Sequence, residues 1–142
     1  MTERKSLPIG IQTLSKIRQG NYYYIDKTGL ALSLIENGTH YFLSRPRRFG
    51  KSLFLDTLKE LFEGSEALFE GLSIHQKWDW SVKYPVIRFS FGKGHYDSVE
   101  YLHKNVMAQL NELDEEFGHE SPYDTTPERL SSLVRHIKKQ TG

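Results

Sequence analysis

Cysteine is absent from this 142-residue sequence, which removes disulfides, thiolate metal sites and cysteine nucleophiles from consideration. An excess of one charge is also missing. Lys and Arg number 19 against 18 Asp and Glu, so the chain does not read as a dedicated nucleic-acid binder, although a local basic patch fits this balance. No apolar run approaches the length of about 18 residues that a membrane helix needs, and residues 1–10 lack the apolar centre of a signal peptide. Internal repeats and low-complexity linkers are lacking too. Together these absences predict a cytoplasmic domain with no membrane partner. The length is enough for one core that buries about 70% of the unfolded chain's surface.

What is present is concentrated between His40 and Leu58. Tyr41-Phe42-Leu43 reads as a short buried strand, and from Leu53 onward apolar residues recur at helical spacing. Between them stands Arg45-Pro46-Arg47-Arg48-Phe49-Gly50-Lys51-Ser52. A strand, a tight loop and a helix opening on Gly-Lys-Ser is the setting of a phosphate-binding loop, the Walker A motif or P-loop. The amides of a first helical turn have no intrahelical acceptor and lie at the positive end of the helix dipole, so several can converge on one anion. Lys51 adds a charge that reaches terminal phosphates, the Ser52 hydroxyl suits Mg²⁺, and Gly50 allows close backbone approach. The expected binding residues are Arg47, Arg48, Phe49, Gly50, Lys51 and Ser52, the expected ligands ATP and Mg²⁺, and the expected metal ligand Ser52.

The spacing departs from G-x-x-x-x-G-K-[ST], because Arg45 stands where the first glycine belongs. An arginine is strained in a left-handed turn that glycine makes freely, so the loop is expected to enter by another path. Pro46 also withdraws one N–H donor.

Around this stretch the pattern predicts a helix over 12–19 with Leu14 and Ile17 inward, an extended aromatic segment over 21–25, and a helix over 27–36 capped by Asp26. Asp26 and Lys27 are alternatively available to line a nucleotide site. Residues 51–62 read as an amphipathic helix, with Asp56 on its solvated face. Ser65 opens a short turn, and Trp78 and Trp80 read as core anchors ahead of base-stacking platforms. Residues 84–91 form the second expected strand, with Pro85 near its start. His95, in the Gly92-Lys93-Gly94-His95 loop beyond it, is a further candidate for ligand contact. A long helix to Phe117 follows, capped by Asp97 or Ser98 and stopped by Gly118, with Val99, Leu102, Val106, Leu110, Leu113 and Phe117 as its stripe. A last helix begins near Thr126-Pro127 and buries Leu130, Leu133, Val134 and Ile137.

Pro8-Ile9-Gly10-Ile11, Tyr24-Ile25-Asp26-Lys27-Thr28 and Phe42-Leu43-Ser44-Arg45-Pro46-Arg47-Arg48-Phe49-Gly50-Lys51-Ser52 resemble the N-terminal portion of the AAA-ATPase-like family, over nearly the whole chain. Members are mostly bacterial and often carry a C-terminal restriction-endonuclease-like nuclease domain. The resemblance implies that Arg45 is the usual residue at its position. It also implies an α/β fold: a partial, AAA-like P-loop NTPase domain in which a few-stranded parallel sheet is flanked by helices. Residues 1–38 would be a helical lead-in and 39–142 the P-loop part.

Hydrolysis in such an architecture needs an acidic residue on a second buried strand to hold Mg²⁺. Leu113-Asp114-Glu115-Glu116 is acidic, but its surroundings have helical period. We therefore expect a fragment with an incomplete sheet and no catalytic residue of its own. The remainder of a longer chain, or a second copy, would cover the sheet edges. The reading from a different class is a non-catalytic module in which Arg45, Arg47, Arg48 and Lys51 bind nucleic-acid phosphate or a protein partner.

Overall fold

Helix signals in the sequence are strong and local, and they decide most of the architecture. A computed structural model describes residues 4–92 and 97–142, and its elements are α1 (Leu14–Gln19), α2 (Thr28–Asn37), α3 (Lys51–Phe62), a 3₁₀ turn (Glu66–Phe69), α4 (Val99–Phe117) and α5 (Thr126–Thr141). The chain falls into two units, Met1–Val86 and Ile87–Gly142.

In the first unit, α1 packs on α3 and on the 3₁₀ turn. Leu14, Leu61, Leu68, Phe69 and Ile74 form the buried cluster, with Tyr24, Leu53, Trp78 and Trp80 packed around it. The tryptophans are core anchors, as expected. Trp80 lies 5.2 Å from Phe69 between ring centroids and donates from Nε1 to His75 O at 2.8 Å. Trp78 meets Phe62 edge-on at 5.6 Å. Burial pushes the Tyr24 hydroxyl pKa up.

In the second unit, α4 and α5 pair as a helical hairpin around Leu110, Leu113, Leu133 and Ile137. The Ser98 hydroxyl caps α4 by accepting from Tyr101 N at 3.1 Å. Gly118 ends the helix in the left-handed region, φ 62°, where a side chain would be strained. Three positions of the expected stripes turn outward instead: Val99 is 83%, Leu102 41% and Val134 47% exposed.

The expected parallel sheet does not form, which corrects the α/β, P-loop-type assignment: the protein is helical, and the described residues contain no strand. A strand exists only where a second backbone supplies ladder bonds, and neither apolar run finds one. Tyr41, Phe42 and Leu43 are 55%, 93% and 48% exposed. Residues 87–90 instead lay Ile87 and Phe89 on the α4–α5 core. The side-chain amide of Gln109 takes the place of a neighbouring strand there. It accepts from Ser90 N at 2.7 Å and donates to Ser90 O at 3.0 Å. One isolated parallel bridge, Ser6 to Tyr22, is the remaining extended pairing among the described residues.

Candidate functional site

α3 begins where the motif places it, at Lys51. Gly50 immediately before it is left-handed, φ 77°, and its carbonyl accepts the first helical bond, from Phe54 N at 2.9 Å. A Cβ at Gly50 would meet nothing within 4 Å. The demand for glycine is therefore conformational and not steric. Arg48 is also left-handed, φ 66°, the one non-glycine residue in that region among the described residues. Arg45 is not, so the strain anticipated at the missing first glycine falls three residues later. Between these ends the loop closes on itself, because Lys51 Nζ donates to Arg45 O at 2.5 Å.

The residues from Arg45 to Ser52 are exposed, Phe49 to 60%. Among the described residues no side chain caps α3. The N-cap residues of α1 and α2, Thr13 and Lys27, make no side-chain cap either, but there a carboxylate from another position stands in. The first amide of α1, Leu14 N, donates to Asp56 Oδ2 at 2.7 Å. Near the start of α2, Thr28 N and the Thr28 hydroxyl donate to Asp26 Oδ1 at 2.9 and 2.6 Å. The first-turn amides of α3 thus remain open to an outside acceptor.

Asp26 belongs to the cap and to the loop packed beside it, where its Oδ2 accepts from Ser73 N at 2.7 Å. Burial acts to raise its carboxyl pKa, but the bonds from Thr28 and Ser73 outweigh this and hold it below the ordinary value. Asp56 is 7% exposed, which corrects its placement on a solvated face. The Leu53–Thr57–Leu61 spacing turns that side of α3 inward, and the uncapped start of α1 gives the carboxylate a partner there. The sequence carried no signal for this, since Thr13 at the head of α1 is a capping type yet makes no side-chain cap. His95 lies outside the described residues.

The second unit holds a polar cluster that the sequence did not announce. Asp114, 7% exposed, accepts from His119 Nδ1 at 2.7 Å and from Arg129 Nη2 and Nε at 2.6 and 3.2 Å. His119 Nε2 lies 3.0 Å from the Ser132 hydroxyl. Arg129 Nη2 also donates to Asn111 Oδ1 at 2.6 Å. Burial would raise the Asp114 carboxyl, but the Arg129 and His119 bonds and the charges behind them bring its pKa below the usual range. Asn111, Asp114, His119 and Arg129 border an open hollow of about 600 Å³. They join the end of α4, the turn and the start of α5. The helical reading of the 113–116 acids is therefore correct, and Asp114 is committed to an ion pair. No group of three or more His, Asp or Glu able to hold a metal ion occurs among the described residues, and no described helix is long and apolar enough to cross a membrane.

Comparison with known proteins supplies the context for the loop. The chain is 55% identical over 140 residues to an uncharacterized protein in the vnfD 5' region of Azotobacter chroococcum mcd 1. That match covers 98% of this chain but 27% of its relative, so the chain spans about a quarter of the relative's length. No solved structure matches. The family model described as predicted AAA-ATPase matches residues 8–142, the whole Arg45–Ser52 loop included, and the chain therefore belongs to the AAA-ATPase-like family.

Proposed function

We propose that the Arg45–Ser52 loop binds the phosphates of a nucleoside triphosphate, ATP in the first instance, with Mg²⁺ shared by the Ser52 hydroxyl. The observation that carries this reading is the closed loop. Left-handed Arg48 and Gly50 alternate with residues of the ordinary hand, a succession that turns consecutive amides toward one side and suits an anion. Lys51 folds back over the same turn to the Arg45 carbonyl. The uncapped, exposed start of α3 adds the dipole. Family membership supports the same assignment.

Gly50, Lys51 and Ser52 are the core of the proposed site, Phe49 and Arg47 complete its rim, and Arg48 contributes its backbone. The acid that would hold Mg²⁺ for hydrolysis has no candidate among these residues. The role proposed for residues 1–142 is accordingly binding, with chemistry assigned to other parts of a longer chain. In such a chain the nucleotide cycle would regulate an attached activity.

The basic cluster Arg45, Arg47, Arg48 and Lys51 also suits nucleic-acid phosphate, and salt separates the two readings. Calorimetric titration with ATP at moderate salt, with and without Mg²⁺, is expected to show Mg²⁺-dependent binding. Affinity for DNA that falls steeply with salt and ignores added ATP, with no ATP heat, would replace nucleotide binding with a purely electrostatic surface.

A further inference from the structure

Resting on the phosphate-binding reading, we infer that Arg48 serves the loop through its backbone and not through its charge: it is the positioning residue that sets the path of the amides between Phe49 and Ser52. An arginine in a cationic loop invites assignment as a phosphate clamp. The conformation argues otherwise. Arg48 holds φ 66° without being glycine, and L-residues with a Cβ resist that region, where the side chain crowds the following carbonyl. Its side chain is exposed, and no hydrogen bond or ion pair is seen to hold the guanidinium among the described residues. Nothing in the side chain's surroundings explains why this residue turns left-handed.

The explanation lies in what the turn does. Arg48 and Gly50 reverse hand on either side of Phe49, and with both reversed the chain comes round so that the Arg45 carbonyl meets the Lys51 ammonium at 2.5 Å. A right-handed residue at 48 would swing the following peptide away, moving one amide off the common side and opening the Arg45–Lys51 closure. Glycine and asparagine adopt the left-handed region readily, whereas a β-branched residue is a severe outlier there. The requirement at position 48 is thus a backbone requirement, met by arginine at a cost in strain.

Substitution separates the two roles. In the full chain, Arg48→Gly and Arg48→Asn remove the charge and keep the turn. Arg48→Val removes both, and Arg48→Lys keeps charge while remaining right-handed by preference. Calorimetric titration with Mg²⁺-ATP at two salt concentrations is expected to give the Gly and Asn variants affinities within about threefold of wild type, and Arg48→Val a loss of about tenfold or more. The salt dependence of the Gly variant should match wild type, because no phosphate contact has gone. Far-UV circular dichroism checks that Arg48→Val retains its helices. A tenfold loss in Arg48→Gly that Arg48→Lys does not share would overturn the inference and make Arg48 a charge clamp, and wild-type affinity in Arg48→Val would overturn it by showing that the turn is dispensable. A wild-type chain that gives no Mg²⁺-ATP heat removes the underlying reading, and the inference with it. That outcome is visible before any variant is compared.

Discussion

Replacing Asp114 by asparagine puts the energetics of the α4–α5 hairpin to a quantitative test. The carboxylate takes three side-chain donor contacts, from His119 Nδ1 at 2.7 Å and Arg129 Nη2 and Nε at 2.6 and 3.2 Å, at a site 7% exposed. Breaking a fully buried ion pair by removing one partner costs about 3–5 kcal/mol, and an isolated hydrogen bond to a charged group is worth about 1.5–3 kcal/mol. Arg129 keeps 16% side-chain exposure and a second acceptor in Asn111, so its charge is not stranded. An asparagine amide retains one acceptor but turns its NH₂ toward a donor. Weighing these, the loss should be about 2–3 kcal/mol.

Hydrogen exchange read peptide by peptide across α4 and α5 is the assay, because it reports local opening. Exchange from their most protected amides should accelerate by about 30- to 150-fold. The pH dependence carries a sign. Asp114 has its pKa lowered in the folded chain, so the unfolded chain binds the extra proton and stability rises with pH. The contribution is fully present above the unfolded carboxyl value of about 4 and fades as pH falls through the lower folded value. Wild-type protection in the hairpin should therefore decline on acidification more steeply than protection in Asp114→Asn. A variant within about 0.5 kcal/mol of wild type at neutral pH would refute the reasoning.

The first unit offers two further tests. Asp56→Ala leaves Leu14 N, now bonded at 2.7 Å, without its acceptor and should destabilise α1 by about 1–2 kcal/mol, seen as faster exchange in α1, with partial rescue in Asp56→Asn. Phe69→Ala empties a fully buried site beside Trp80 and should cost about 3–5 kcal/mol. Tryptophan fluorescence, whose two reporters both pack in this core, should then melt at least about 10 °C lower.

What was legible in the sequence was whatever a few neighbouring residues decide. α3 runs from Lys51 to Phe62 as its leucine spacing and Gly50 require, α4 starts behind Ser98 and stops at Gly118, and α5 opens on Thr126-Pro127. What failed depends on partners far along the chain. Residues 41–43 and 86–91 have strand composition, but ladder bonds need another backbone, and side chains such as Gln109 took that place. Asp56 reads as solvated because a carboxylate is seldom buried without a partner, and its partner, Leu14 N, lies 42 residues away. The Asp114–Arg129 pair joins two helices across a turn that no periodicity describes. At the loop itself, Gly50, Lys51 and Ser52 stand at the helix start as the motif implies, while the left-handed Arg48 could not be read from residue identity, since arginine is a poor candidate for that conformation.

Lys51 closes the loop onto the Arg45 carbonyl and would meet the phosphates. Calorimetric titration of wild type and Lys51→Ala with ATP and Mg²⁺ at moderate salt tests that role most directly. Nucleotide binding through this loop predicts measurable Mg²⁺-dependent heat for wild type and a loss of about tenfold or more in affinity for the variant, the weight of at least one charge-assisted contact. A Lys51→Ala chain that binds Mg²⁺-ATP as tightly as wild type would contradict it.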